Sequence, residues 1–165
     1  MRTILMAGVL ILSLTAGTVS AETTNTFISR DHGFSIEAPL SPDSRNQGGN
    51  IVMFFLPVTE AFAANIGVIK QGYDGSIEAY DKLNRDQYKI FGFTVLNRKI
   101  SKNEAKYEFI GTQQGKAMHY YARAVATGQN VYVVTAVSLE SYWQKQRVYL
   151  IKSVDSFSLQ DQTGQ

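Results

Sequence analysis

Cysteine is absent, proline occurs three times, histidine twice and tryptophan once. Without cysteine there is no disulfide, no lipid-anchoring thiol and no thiolate metal site, so the fold is held by its core alone. The two histidines, His32 and His119, form no His-x-x-x-His pair and fall short of the three or four ligands that zinc takes. Charge imbalance is lacking too: 16 basic and 14 acidic side chains leave a formal net charge of +2, and no like-charge run is longer than Arg98-Lys99. Such a surface does not build the positive field that nucleic acid requires, so no nucleic-acid partner is expected. There is no Gly-x-Ser-x-Gly nucleophile elbow. Gly48-Gly49 and Gly72-x-x-Gly75 lack the lysine of a phosphate loop, and Asp43 stands without the spaced oxygen ligands of a calcium loop. No locally encoded catalysis, metal site or cofactor is expected.

What is present begins with residues 1–21, which read in three parts. Arg2 supplies a charged start, residues 4–14 are apolar, and Thr18-Val19-Ser20-Ala21 is a small-residue exit. That pattern predicts a signal peptide cleaved after Ala21. The apolar part is shorter than the roughly 20 residues needed to cross a bilayer. The expectation is export to the periplasm or beyond, a single domain over residues 22–159, a polar tail over 160–165, and a monomer.

Alternation predicts the strands. Phe34-Ser35-Ile36-Glu37-Ala38 reads as half-buried, whereas Ile51-Val52-Met53-Phe54-Phe55-Leu56 is apolar at every position and needs cover on both faces. Between them residues 41–50 are polar and rich in bend formers, the longest expected loop. Pro57 is expected to end its strand, and residues 63–69 form the partner. Later strands are predicted over 93–100, 105–110, 117–126 and 131–137, separated by turns at 101–103, 113–116 and 127–130.

Two helices complete the pattern. Ser76 is placed to cap the first, in which Ile77, Tyr80, Leu83, Ile90 and Phe91 are expected to form the buried stripe and Glu78, Asp81, Lys82 and Arg85 a solvated charged face, with Gly92 as the stop. The second is predicted over 139–154, with Leu139, Trp143, Leu150, Ile151 and Val154 inward and Ser138 as its cap. Phe157 and Leu159 suggest a short terminal strand. Because residues 51–56 and 131–137 are apolar on both faces, one helix is expected on each side of a mostly antiparallel sheet of about six to eight strands. The expected fold is α+β, a three-layer α/β/α sandwich.

These residues resemble the PsbP-like superfamily, named for an extrinsic protein of the water-oxidising photosystem. Gly33-Phe34-Ser35-Ile36-Glu37-Ala38-Pro39 resembles its opening, Gly75-Ser76-Ile77-Glu78-Ala79-Tyr80 its first helix start, and Asn130-Val131-Tyr132-Val133-Val134-Thr135-Ala136 its late strand. The close, Ile151-Lys152-Ser153-Val154-Asp155-Ser156-Phe157, fits as well. The chain departs from the family where a tryptophan often follows the opening proline: here Pro39-Leu40-Ser41-Pro42 stands. The resemblance implies an antiparallel sheet flanked by helices and a non-enzymatic accessory role.

If the hairpin closes around residues 113–116, Lys106, Glu108, His119, Tyr121 and Arg123 share one face, and Tyr107, Phe109, Tyr120 and Ala122 the other. The first set mixes aromatic and charged side chains of the kind enriched at binding hot spots. It is the candidate contact surface for another envelope protein, set against the plainer expectation of a sheet face covered by a helix. A carrier of a small apolar or amphipathic ligand is the alternative, for which the mark is an apolar pocket between helix and sheet. A hydrolase would need a buried serine or carboxylate within hydrogen-bond reach of His119.

Overall fold

The computed structural model describes residues 24–39, 42–43 and 49–160. The expected leader, most of loop 41–50 and all but the first residue of the tail lie outside the described residues. Ten strands and two helices follow in the order β1 (Thr24–Ser29), β2 (Phe34–Pro39), β3 (Pro42–Asp43), β4 (Val52–Thr59), β5 (Phe62–Gly72), α1 (Ile77–Ile90), β6 (Thr94–Ser101), β7 (Glu104–Gln113), β8 (Lys116–Ala126), β9 (Asn130–Leu139), α2 (Glu140–Asp155) and β10 (Ser158–Leu159). Every paired neighbour is antiparallel. A seven-stranded sheet has the order β3-β4-β5-β9-β8-β7-β6, and a three-stranded sheet the order β1-β2-β10. Among the described residues, no helix is long and apolar enough to cross a membrane.

The meander from β6 to β9 comes from three tight turns between alternating segments. The middle turn, Gln114-Gly115, has positive φ at both residues. That is the sign pattern of a type I′ turn, and it sets Gln113 opposite Lys116. Tyr107, Phe109, Tyr120 and Ala122 consequently share one face, and Lys106, Glu108, His119, Tyr121 and Arg123 the other, as the alternation predicts.

The sheet closes when β9 returns to pair with β5, with Asn65 opposite Val137 and Gly72 opposite Asn130. The connection from β5 to β6 must therefore clear β9, β8 and β7. Four strand spacings amount to about 19 Å, and the 14 residues of α1 reach about 21 Å. The helix is a strut across one face. On the opposite face α2 lies over β8 and β9, and the small sheet packs beside it through Phe27 against Phe54 and Phe34 against Tyr132. The three-layer sandwich holds, with the small sheet completing the outer layer that α2 begins.

Three local expectations are corrected. Pro57 does not end its strand: β4 continues to Thr59, and its pairing with β5 shifts register between Phe55 and Val58, so the missing N–H of the proline falls where the ladder is already broken. Within the expected loop, Pro42 and Asp43 pair with Phe54 and Met53 as a two-residue edge strand. Ser138 does not cap α2. It is the penultimate residue of β9, fully buried, and its hydroxyl bonds to Gln146 and to the Leu139 carbonyl, leaving Leu139 at the N-cap without a side-chain bond.

Candidate functional site

The α1 side of the large sheet is built from an anchored helix over an uneven floor. At the start of α1 the Ser76 hydroxyl accepts the Ala79 N–H at 3.2 Å, satisfying one of the donors a helix start leaves open. At its end Phe93 N–H reaches the Tyr88 carbonyl and Gly92 N–H the Lys89 carbonyl. With Gly92 at φ +70°, this is a Schellman motif, and its usual apolar contact is made by the Tyr88 and Phe93 rings. The cap turns Phe93 back beneath the helix. A Cβ on Gly111 of β7 would stand 2.0 Å from Phe93 Cδ1, so the bare backbone there is what lets the ring lie flat.

The buried stripe of α1 differs from the expected one. Ile77 and Tyr80 are inward as predicted, but Leu83, Ile90 and Phe91 are 44, 79 and 55% exposed, and Asp81, Asn84 and Tyr88 are buried instead. The cause is electrostatic. Asp81 Oδ2 lies 3.0 Å from Arg85 Nε and 3.4 Å from Arg98 Nη1 of β6, so two guanidinium groups hold the carboxylate against the sheet and fix the roll of the helix. Lys82 pairs with Asp86, not with Glu78.

Beneath α1 the sheet offers large rings at Tyr107, Phe109 and Tyr120 and methyl groups at Ala122 and Ala124. Tyr88 stacks on Phe109 at 4.5 Å and Phe109 on Tyr120 at 4.7 Å, one aromatic wall. Next to them Ala122 and Ala124 fill little of the height under the strut. A partly open pocket of about 350 Å3 results, its floor Ala122, Ala124, Val133 and Val137, its roof Tyr80, Asn84 and Tyr88, with Phe91 and Phe93 at one end and Gln71 and Gln113 among its polar edges. Tyr107 also faces it. Its hydroxyl is buried within hydrogen-bonding reach of the Asn84 amide and the Asp81 carboxylate, without being fully aligned with either. Burial pushes the hydroxyls of Tyr80, Tyr88 and Tyr107 well above the ordinary phenol range, and that of Tyr120 up to about 12, so all four are neutral at physiological pH.

On the other face the five predicted contact residues lie together beneath and beside α2. His119 is 3% exposed. Its ring stacks on Trp143 at 3.9 Å, its Nδ1 lies 2.6 Å from Glu140 Oε2, and its Nε2 lies 2.9 Å from Glu108 Oε1. Arg123 donates to Glu104 and to the Asp155 and Phe157 carbonyls, meeting the orphan acceptors that end α2. Lys106 pairs with Asp155 at 2.8 Å, and the Tyr121 hydroxyl donates to the same carboxylate. Burial first, and Asp155 second, raise the Tyr121 hydroxyl far above its ordinary value.

Carboxylates thus stand within reach of His119, the feature a hydrolase would need. Both ring nitrogens are occupied by them, however, and an indole covers one ring face, which leaves no nitrogen to take a proton from a nucleophile. His32 lies in an exposed turn, where its carbonyl accepts from the Tyr132 hydroxyl. Among the described residues, no group of three His, Cys, Asp or Glu is placed to hold a metal ion.

Neither a protein-family model nor a curated protein sequence matches the chain. Solved structures do. The solution structure of cyanobacterial PsbP (CyanoP) from Synechocystis superposes with a TM-score of 0.62 at 14% identity, over 88% of this chain and 97% of that one. The chain has the PsbP-like fold. The crystal structure of LpqN, involved in cell envelope biogenesis of Mycobacterium tuberculosis, gives a TM-score of 0.51 at 15% identity, over 87% of each chain. A crystal structure from Bacteroides thetaiotaomicron gives 0.54 at 14% identity, over 84% of this chain and 49% of that one. At these identities the likeness is one of fold.

Within the PsbP-like sheet, hairpin register sets the five predicted residues on one face, as alternation predicts. A pocket between helix and sheet is the mark expected of a carrier, but the sequence does not say which helix covers it. Its sequence signal was the contrast between Tyr107, Phe109 and Tyr120 on one side of the β7-β8 hairpin and Ala122 and Ala124 on the same side a few residues on, large rings giving way to methyl groups where a helix crosses.

Proposed function

We propose that this chain is a non-catalytic, exported accessory protein that carries a small apolar or amphipathic molecule between α1 and the seven-stranded sheet. The observation that carries the reading is the pocket of about 350 Å3 with an aromatic wall and an alanine floor. Its size lies within the roughly 300–1,000 Å3 of small-molecule sites, and such sites are mostly apolar with few polar groups. The leader-like residues 1–21 support export, and the shared fold with LpqN, a protein involved in cell envelope biogenesis, supports an envelope setting.

The test is native mass spectrometry of the full chain, expressed with its leader in an exporting host, beside Ala122→Phe, whose ring fills the floor. A bound small molecule present in the parent protein and lost in the variant supports the reading. An unliganded parent that also fails to take up any member of an envelope lipid extract ends it.

Binding of another envelope protein through Lys106, Glu108, His119, Tyr121 and Arg123 is the second reading. It is favoured by the edge of that face, where Lys106 and Asp155 keep 27 and 37% of their side chains exposed beside the half-buried Tyr121. Capture from an envelope extract, repeated with Tyr121→Ala and with Arg123→Ala after checking each for folding, separates the cases. One enriched protein that both substitutions release supports this surface, and one that both retain removes it.

A further inference from the structure

We infer that the pocket beneath α1 selects an uncharged amphipathic molecule and holds its polar end on the Tyr107 hydroxyl. This rests on the carrier reading and specifies its ligand. What surrounds the cavity sets the selection. Its walls are aliphatic, aromatic, hydroxyl and amide groups, and none of the lining residues is Lys, Arg, His, Asp or Glu. An ionised head group entering it loses its hydration and meets no opposite charge.

The nearest formal charges deepen the selection. Asp81, beside Tyr107, is a buried carboxylate, and the two guanidinium groups within reach, Arg85 and Arg98, are both bound to it. An anionic head finds no free guanidinium, since both are bound to Asp81 and neither lines the cavity. A cationic head would approach a cluster with a net positive charge, one carboxylate between two guanidinium groups. A neutral head meets neither penalty.

Tyr107 gives the neutral head something to bind. The side chain is 2% exposed and faces the cavity, and its hydroxyl, within reach of Asp81 and Asn84, is not fully aligned with either. A buried hydroxyl left in that state costs free energy. An alcohol relieves the cost as acceptor of the phenol proton or as donor to its oxygen, and a carbonyl as acceptor alone, while the Tyr88–Phe109–Tyr120 wall and the alanine floor take the apolar part. Asn84 stands beside the same hydroxyl and adds a second polar group of zero charge.

Isothermal titration calorimetry of the full chain with 1-decanol, decanoate and decylammonium, each below its aggregation limit at neutral pH, tests the idea without any substitution. The expected result is decanol binding at least about tenfold tighter than either ion. Tyr107→Phe, which keeps the ring, is expected to weaken decanol binding about fivefold. Decanoate or decylammonium binding as tightly as decanol overturns the selection and leaves the carrier reading standing. Undiminished decanol binding by Tyr107→Phe overturns the anchor. Failure of all three probes to bind overturns both the inference and the carrier reading.

Discussion

Opposite faces of one sheet meet their helices in different ways. On the α2 side every charged side chain that points outward from β7 and β8 finds a partner: Glu108 and Glu140 flank His119, and Lys106, Arg123 and Tyr121 converge on the end of α2. Between these ties Trp143, Leu150 and Val154 are fully buried, as are Ala136 and Val134 of β9. On the α1 side the helix is held at its cap, its Schellman turn and the Asp81 cluster, and the space under it stays hollow. A helix that follows its strand directly, as α2 follows β9, settles onto the sheet. A helix that must bridge three strands is fixed by its ends, and the height under its middle is set by whichever side chains the floor provides.

Substitutions that break this contrast rank by size. Trp143→Ala removes the largest buried side chain of the packed side and is expected to cost about 3–5 kcal/mol in urea denaturation. A loss under about 1 kcal/mol would mean that α2 is not seated as described. Arg123→Ala leaves Glu104 and two carbonyls without their donor, with an expected loss of about 2–3 kcal/mol.

The same change made on both faces sharpens the comparison directly. Ala136→Leu adds volume to a filled layer, with an expected cost of about 1–3 kcal/mol. Ala122→Leu points into the pocket and is expected to cost less than about 1 kcal/mol. Equal costs would show that the hollow does not persist in solution.

Alkaline pH acts on both faces at once. Buried Tyr80, Tyr88, Tyr107 and Tyr121 hold their protons well above the ordinary value of 10.0, and Tyr120 holds its proton up to about 12. With the folded pKa raised, the unfolded chain releases protons first as pH climbs. Stability from these groups is therefore intact below pH 10 and falls between pH 10 and 12. Thermal midpoints should decline over that window, with a shallower slope in Tyr107→Phe, and an identical slope in that variant would remove Tyr107 from the account.

Much of this architecture was legible in residue order. Period-two alternation and three tight turns fix the β6 to β9 meander and its register, and the doubly apolar segments 51–56 and 131–137 call for cover on both sides. What alternation does not encode is how a helix rolls about its axis. Asp81 looks like a surface acid beside Arg85 in sequence, and only Arg98, brought over from β6, turns it inward and pushes Leu83 and Ile90 out. Pro57 reads as a terminator because sequence does not reveal that the ladder shifts at that point. The second sheet was missed for a similar reason: β10 is two residues long and finds β2 only after α2 has been laid down. Of the candidate sites, the five-residue face was visible as a pattern, whereas the hollow depends on a distance between layers that no single segment carries.

The pairing of β5 with β9 also has a consequence in time. Because Asn65 to Gly72 wait for Val137 to Asn130, a chain halted before residue 130 has its most apolar hairpin made and nothing beside it. Such long-range closure slows the folding step. The centre of the seven-stranded sheet therefore stays open on one side until β9 has been made.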